Sequence, residues 1–300
     1  MNAARFVALG DSITVGLGDP MPDGTWRGWA SLLAGAFPAV EFHNLAELGA
    51  QTRDVASHQL ERALTLRPTV AAVVVGVNDT LRASFDAGAA GRSLEHAVGS
   101  LRAAGAVVLT CRLPDPGRMF GLPGALARPL SRRIRAVNAV ADRVAARHGS
   151  LHFDAADHRE VYDRRNWSVD RLHPSERGHR LIAAAYADLL AAAGVAVDRP
   201  GREPTNPPPT RAAQVRWMAT KGTKWLMDRS TDLVPYLVSM AVREWWHDLR
   251  GRAQRIEDLL ALDVVRVLEQ LDGAWEPSLD PVWALRDPAQ SGATAAGGLR

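Results

Sequence analysis

Gly10-Asp11-Ser12 follows the apolar run Phe6-Val7-Ala8-Leu9, so the Ser12 hydroxyl falls where a strand ends and a helix or turn begins. A hydroxyl at that edge gains from nearby backbone N–H groups and, beside a base, becomes a nucleophile. Asp170-Arg171-Leu172-His173 offers the base: an acid and a histidine three residues apart on one loop can hold one ring nitrogen and turn the other outward. Val75-Gly76-Val77-Asn78-Asp79 closes the strongest apolar run of the chain and offers the Asn78 amide as a donor. Gly49, just past Asn44-Leu45-Ala46-Glu47-Leu48, can present a backbone N–H that no side chain obstructs. Each segment also has a plainer reading. Asp11 or Ser12 is a good helix N-cap, Asn78-Asp79 a good Asx turn with a helix cap, and a lone acid and histidine a surface coincidence. Asp11 and Asp79 are expected to fix their loops by accepting backbone N–H bonds rather than to carry protons.

The elements around these segments decide between the readings. Short apolar runs at Arg5–Gly10, Val40–Ala46, Val70–Val77, Ala106–Cys111 and Leu151–Asp154 predict strands. Between them, apolar residues at helical spacing predict helices over Trp29–Phe37, Thr52–Leu64, Gly88–Ala104, Ile134–His148 and Ser175–Ala193. Continuous apolar strands alternating with amphipathic helices indicate an α/β fold whose parallel sheet is covered on both faces. In such a sheet chemistry belongs in the loops at the carboxyl ends of the strands. All four segments fall there or in the last loop.

The 300 residues are 47% apolar and 23% charged, which excludes disordered, collagenous and coiled-coil classes. Net charge is +3, nearly all the bases are arginine, and the acids and bases balance before and after residue 198. No phosphate-binding stripe emerges, so nucleic acid is not an expected partner. Cys111 is the only cysteine, which rules out an internal disulfide and a cysteine metal cage; it reads as a small buried apolar residue. His152, His158 and His179 lack metal-ligand spacing, and His152 and His179 read as a strand residue and a polar helix position. The first residues enter an apolar run too short for a signal peptide, giving an expectation of a cytoplasmic protein. No apolar run approaches the roughly 20 residues of a membrane crossing.

In this order and at these positions the four segments resemble the SGNH hydrolases, the GDSL lipase and esterase family. Ser12 matches the nucleophile block, Gly49 the second block, Asn78 the Gly-x-Asn-Asp block, and Asp170 with His173 the Asp-x-x-His block. The one visible departure is Ile13 where the family's nominal motif has leucine, a change of shape at nearly constant volume. The resemblance covers about Arg5 to Ala193. It implies a three-layer α/β/α sandwich with a central five-stranded parallel sheet, of flavodoxin-like type. It also implies a serine carboxylic ester hydrolase, esterase or lipase or O-deacetylase, that forms an acyl-enzyme on Ser12. His173 is then the base, Asp170 its orienter, and Ser12, Gly49 and Asn78 the oxyanion hole. No metal or organic cofactor is implied.

Substrate choice is read from less. Met119, Phe120 and Leu122, in the segment after the fourth strand, and Phe85, after Asn78, are candidate substrate-binding residues for small or medium acyl esters. Trp26 and Trp29 suit either stacking on a sugar or core packing. Residues 1–198 form the expected catalytic domain, 199–210 a proline-rich linker, 211–285 a helical extension and 286–300 a disordered tail. The extension holds six of the nine tryptophans, with helical patterns over Ala212–Met227, Leu233–Leu249 and Ile256–Leu271. A cap on the hydrolase domain, an oligomer interface and a peripheral membrane contact through these helices all stay open. So do two other functions: an acyltransferase using the same serine, and a non-catalytic binding module on a hydrolase fold.

Overall fold

In the computed structural model, which describes residues 3–170, 172–205, 233–251 and 253–273, five parallel strands form one sheet in the order β2-β1-β3-β4-β5. They are β1 (Ala4–Gly10), β2 (Val40–Asn44), β3 (Val70–Val74), β4 (Val107–Arg112) and β5 (Leu151–Asp154). The expected helix over 212–227, the linker from residue 206 and the tail 286–300 lie outside the described residues, with Trp217, Trp225, Trp275 and Trp283.

The unbroken apolar character of β3 follows from burial on both faces. Val70, Ala72 and Val74 point into one core layer with Phe6, Trp29, Leu33, Tyr186 and Leu190. Ala71, Val73 and Val75 point into the other with Leu60, Leu94, Val98, Leu101, Val140 and Val144. With a side-chain period of two, a strand between two helical layers has no polar face. The first layer holds α1 (Ser12–Val15), α2 (Gly28–Ala34) and, near the end of the domain, the long helix Glu176–Ala192. The second holds α3 (Thr52–Asp54), a π-helical turn Val55–Gln59, α4 (Leu60–Thr65), α5 (Val77–Thr80), α6 (Ala87–Ala103), α7 (Pro116–Phe120) and α8 (Gly124–His148). The helix Glu176–Ala192 is α9.

Three boundaries differ from expectation. β3 stops at Val74, because Gly76 takes φ +130° and Val77 already starts α5. The expected open loop Leu113–Gly124 contains α7, capped by Asp115, whose carboxylate accepts from Gly117 N, with Pro116 in the first turn. α8 starts at Gly124, ten residues before the expected Ile134, and runs through Pro129.

Two further helices, α10 (Leu233–Leu249) and α11 (Ala253–Gly273), match the expected patterns and pack on α8 and α6. Glu244 of α10 is buried and paired with Arg132, Nη1–Oε2 2.5 Å and Nη2–Oε1 2.9 Å, and with Arg128 Nε at 2.9 Å. Leu271 of α11 joins the second core layer. The outward face of α10 carries Val238, Val242, Trp245, Trp246 and Leu249. No described helix is long and apolar enough to cross a membrane.

Candidate active site

The turn after β1 is built around Gly10. Its φ is +153°, and a Cβ there would lie 2.3 Å from the Val74 carbonyl oxygen, so only glycine lets β1 pass that close to β3. Gln59, buried in the π-helical turn, brackets the same glycine, accepting from Gly10 N at 2.9 Å and donating to Gly10 O at 3.1 Å. Asp11 then caps α1 by accepting from Ile13 N at 3.0 Å, which places Ser12 in the first turn, where backbone N–H groups lack intrahelical acceptors.

His173 reaches Ser12 from the loop before α9, with Nε2 2.9 Å from Ser12 Oγ. Its Nδ1 lies 2.6 Å from Asp170 Oδ2. Asp170 Oδ1 also accepts from Leu172 N and His173 N, each at 2.9 Å, and from the Ser168 hydroxyl at 2.6 Å. Burial would raise the Asp170 carboxyl, but the hydrogen bond and charge of His173 and these further donors bring it down to about 2. It is therefore ionised at neutral pH.

Asn78 and Gly49 follow the two strands that flank β1, Asn78 after β3 and Gly49 after β2. Asn78, in the first turn of α5 after β3, donates from Nδ2 to Ala50 O at 3.0 Å and lies 3.4 Å from Asp11 Oδ2. Gly49 holds φ +77° in the loop after β2, and Ala50 links that loop to Asn78. Asp79 acts as expected of a loop-fixing acid, accepting from Thr52 N at 3.1 Å and from its hydroxyl at 2.6 Å. Asp11 is more perturbed: burial pushes its carboxyl up to about 6, against the Ile13 N–H that lowers it.

Of the remaining residues, His179 differs most from what spacing suggested. His179, expected as a polar helix position, is fully buried; its Nδ1 accepts from Trp29 N at 3.1 Å and its Nε2 donates to Leu17 O at 2.9 Å. Trp29 is core, its ring 5.0 Å from that of Tyr186, whereas Trp26 is exposed. Phe85 packs beside Leu113, Ile134 and Val137, with the Arg133 guanidinium 5.0 Å over its ring. Met119 lies in α7 and Leu122 just beyond it, both half-buried; the side chain of Phe120 is outside the described residues. His152 sits in β5, bonded to Thr110 Oγ1 at 2.8 Å and Asp142 at 3.1 Å.

Several supporting residues carried no signal of their own. Asp19, fully buried, takes Arg27 Nε at 2.9 Å and Nη2 at 3.0 Å. Arg27 also reaches Glu176 at 2.7 Å, tying the segment after Ser12 to the start of α9. Gly18, at φ +98°, lets that segment press on the Pro174 carbonyl, where a Cβ would stand 2.0 Å away. Ser168, two residues before Asp170, was the one partner that proximity to the motif could have suggested.

A doubly covered parallel sheet carries a hydrogen-bonded Ser–His–Asp chain at its carboxyl edge, an arrangement suited to hydrolase chemistry. The family model of the GDSL-like lipase/acylhydrolase family matches residues 8–181, more than half of the chain. The protein belongs to that family and is in class a carboxylic ester hydrolase. Solved structures share the fold. LAE5, an alpha/beta hydrolase enzyme from the metagenome of Lake Arreo, Spain, is 24% identical with a TM-score of 0.51, over 64% of this chain and 97% of that one. Axe2, an acetylxylan esterase from Geobacillus stearothermophilus, is 19% identical with a TM-score of 0.51, over 62% and 94%. A lipase/acylhydrolase from Enterococcus faecalis is 19% identical with a TM-score of 0.50, over 63% and 96%. No curated protein matches the chain.

Proposed function

We propose that the protein hydrolyses small or medium acyl esters through an acyl-enzyme on Ser12. The observation that carries this reading is the continuous chain Asp170–His173–Ser12, at 2.6 and 2.9 Å. His173 Nε2 accepts the Ser12 proton as Oγ bonds to the ester carbonyl carbon. Asp170 holds the tautomer with the proton on Nδ1 and stabilises the imidazolium. Collapse of the tetrahedral intermediate breaks the bond to the alcohol oxygen, which leaves with the proton from His173. Water, deprotonated by the same nitrogen, then attacks the acyl carbon; the acid departs and Ser12 regains its proton.

The oxyanion of each intermediate is received by the backbone N–H groups of Ser12 and Gly49 and by Asn78 Nδ2. The 3.4 Å contact of that amide to Asp11 is at the weak end of hydrogen bonding, so its second N–H is free to turn toward developing charge. Acetyl esters are one substrate class in view, since Axe2 is an acetylxylan esterase. The test is release of p-nitrophenol from p-nitrophenyl acetate by the wild-type chain and by Ser12→Ala. The reading expects turnover by the first and none by the second; a folded wild type that turns over no ester contradicts it.

A further inference from the structure

Exposed apolar side chains concentrate on α10. Of the nine large ones exposed among the described residues, five are Val238, Val242, Trp245, Trp246 and Leu249. Helical spacing sets Val238, Val242, Trp245 and Leu249 in one line along the helix, with Trp246 beside them. The stripe faces away from the domain, because Met240 and Glu244 on the opposite face are buried and Glu244 is held by Arg132 and Arg128. Trp245 and Trp246 stack with ring centroids 6.1 Å apart, and the Arg250 guanidinium lies 4.6 Å over the Trp246 ring. The place of the stripe follows from α8, which begins at the carboxyl edge of the sheet after β4 and α7 and returns toward the start of β5. Arg128 and Arg132 belong to its first three turns, so the tryptophan end of α10 stands level with the catalytic edge. Arg133, next along α8, donates to Thr80 O at 2.9 Å and to Arg82 O at 2.7 Å, just past Asn78.

We propose that the α10 stripe docks on a lipid surface and brings the catalytic edge to esters held at the lipid–water boundary. The substrate half of this proposal rests on the ester-hydrolase reading above; the docking half stands without it. Composition favours lipid over a protein partner. Tryptophan has an apolar ring body and a polar N–H, and so settles where hydrocarbon meets headgroups. Arg243 and Arg250, both exposed, border the stripe and can reach headgroup phosphates while their stems stay on apolar surface. Glu244, the acid between them in the sequence, is turned inward and already paired, so it sets no like charge against an anionic headgroup. Area points the same way. Five side chains about half exposed offer on the order of 450 Å², scaled from 150–250 Å² for a whole tryptophan. A stable dimer takes about 800 Å² from each partner. Membrane affinity instead grows with whatever apolar area is buried and needs no matching shape.

The test is co-sedimentation of the full chain with vesicles of phosphatidylcholine and phosphatidylglycerol. It compares the wild type with the double variant Trp245→Ser/Trp246→Ser and with Val242→Glu, which puts a charge in the middle of the stripe. The wild type should sediment with the vesicles, and each variant should lose roughly tenfold or more in partitioning. Turnover of p-nitrophenyl acetate in solution should be equal in all three, whereas turnover of p-nitrophenyl octanoate carried in the vesicles should fall with the partitioning. A wild type that leaves the vesicles unbound, or variants that bind them as well as it does, overturn the proposal. A wild type that is dimeric by light scattering and ignores vesicles assigns the stripe to a second copy of the chain. A wild type that binds vesicles but turns over neither ester overturns the ester-hydrolase reading and the substrate half, and leaves the docking in place.

Discussion

The Nε2 of His179 donates to the carbonyl oxygen of Leu17 across 2.9 Å, joining the helix that follows His173 to the segment that follows Ser12. Its Nδ1 accepts from Trp29 N, so both ring nitrogens are used and the imidazole is neutral. Burial accordingly lowers its pKa from 6.5 to about 4.

That shift has a signed consequence for stability. The unfolded His179 takes up a proton near pH 6.5 and the folded one only near 4, so acidification through this window favours unfolding. Asp11 opposes it: raised to about 6, the folded carboxyl takes up its proton earlier than the unfolded one, and acidification from 6 to 3.8 favours folding. The wild type should therefore show a shallow profile. Replacing His179 with Gln removes one of the two slopes, and the stability of the variant relative to wild type should rise by about 3 kcal/mol between pH 7 and pH 4. Urea unfolding at the two pH values measures this; parallel profiles would count against it.

Asn78→Ala removes the only side-chain donor assigned to the oxyanion. The expected loss is about 10²–10³ in kcat with a small change in KM, since the ground-state carbonyl gains little from that bond. Steady-state kinetics on p-nitrophenyl acetate reads it, and a loss confined to KM would show that Asn78 binds rather than stabilises.

Asp170→Asn keeps the size of the side chain but loses the charge that fixes the His173 tautomer. The expected fall in kcat is up to about 10⁴. Ser168→Ala, which removes one donor to Asp170, should cost far less because Leu172 N and His173 N remain. The reverse ranking would assign the orienting role elsewhere.

The strands were legible because each is a short, continuous apolar run, and the four chemical segments because each stands at a strand end or in the last loop. What the sequence hid depended on distant contacts. His179 looks like any polar helix residue until Leu17 and Trp29, more than 140 positions earlier, close over it. Gln59 gives no hint that it will bracket Gly10. α7 is too short, and too rich in glycine and proline, to show a period, and the start of α8 was masked by Pro129.

The pairing of Glu244 with Arg132 anchors the C-terminal helices to α8. Both groups are nearly inaccessible, at 3% and 8%, so Glu244→Ala should lower stability by about 3 kcal/mol, the lower end for removing one partner of a buried pair. Thermal unfolding gives the shift. Ester turnover at 25 °C should persist, because Glu244 touches none of the reacting groups; its loss would show that α10 supports the site directly.

The central claim is that Ser12 forms the covalent intermediate. Incubation with diisopropyl fluorophosphate followed by peptide mass spectrometry tests it most directly. The account predicts a single phosphoryl adduct on the peptide containing Ser12, with ester turnover lost in proportion to labelling, and neither adduct nor turnover in Ser12→Ala. An adduct on another residue, or a Ser12→Ala protein that still hydrolyses esters, would contradict it.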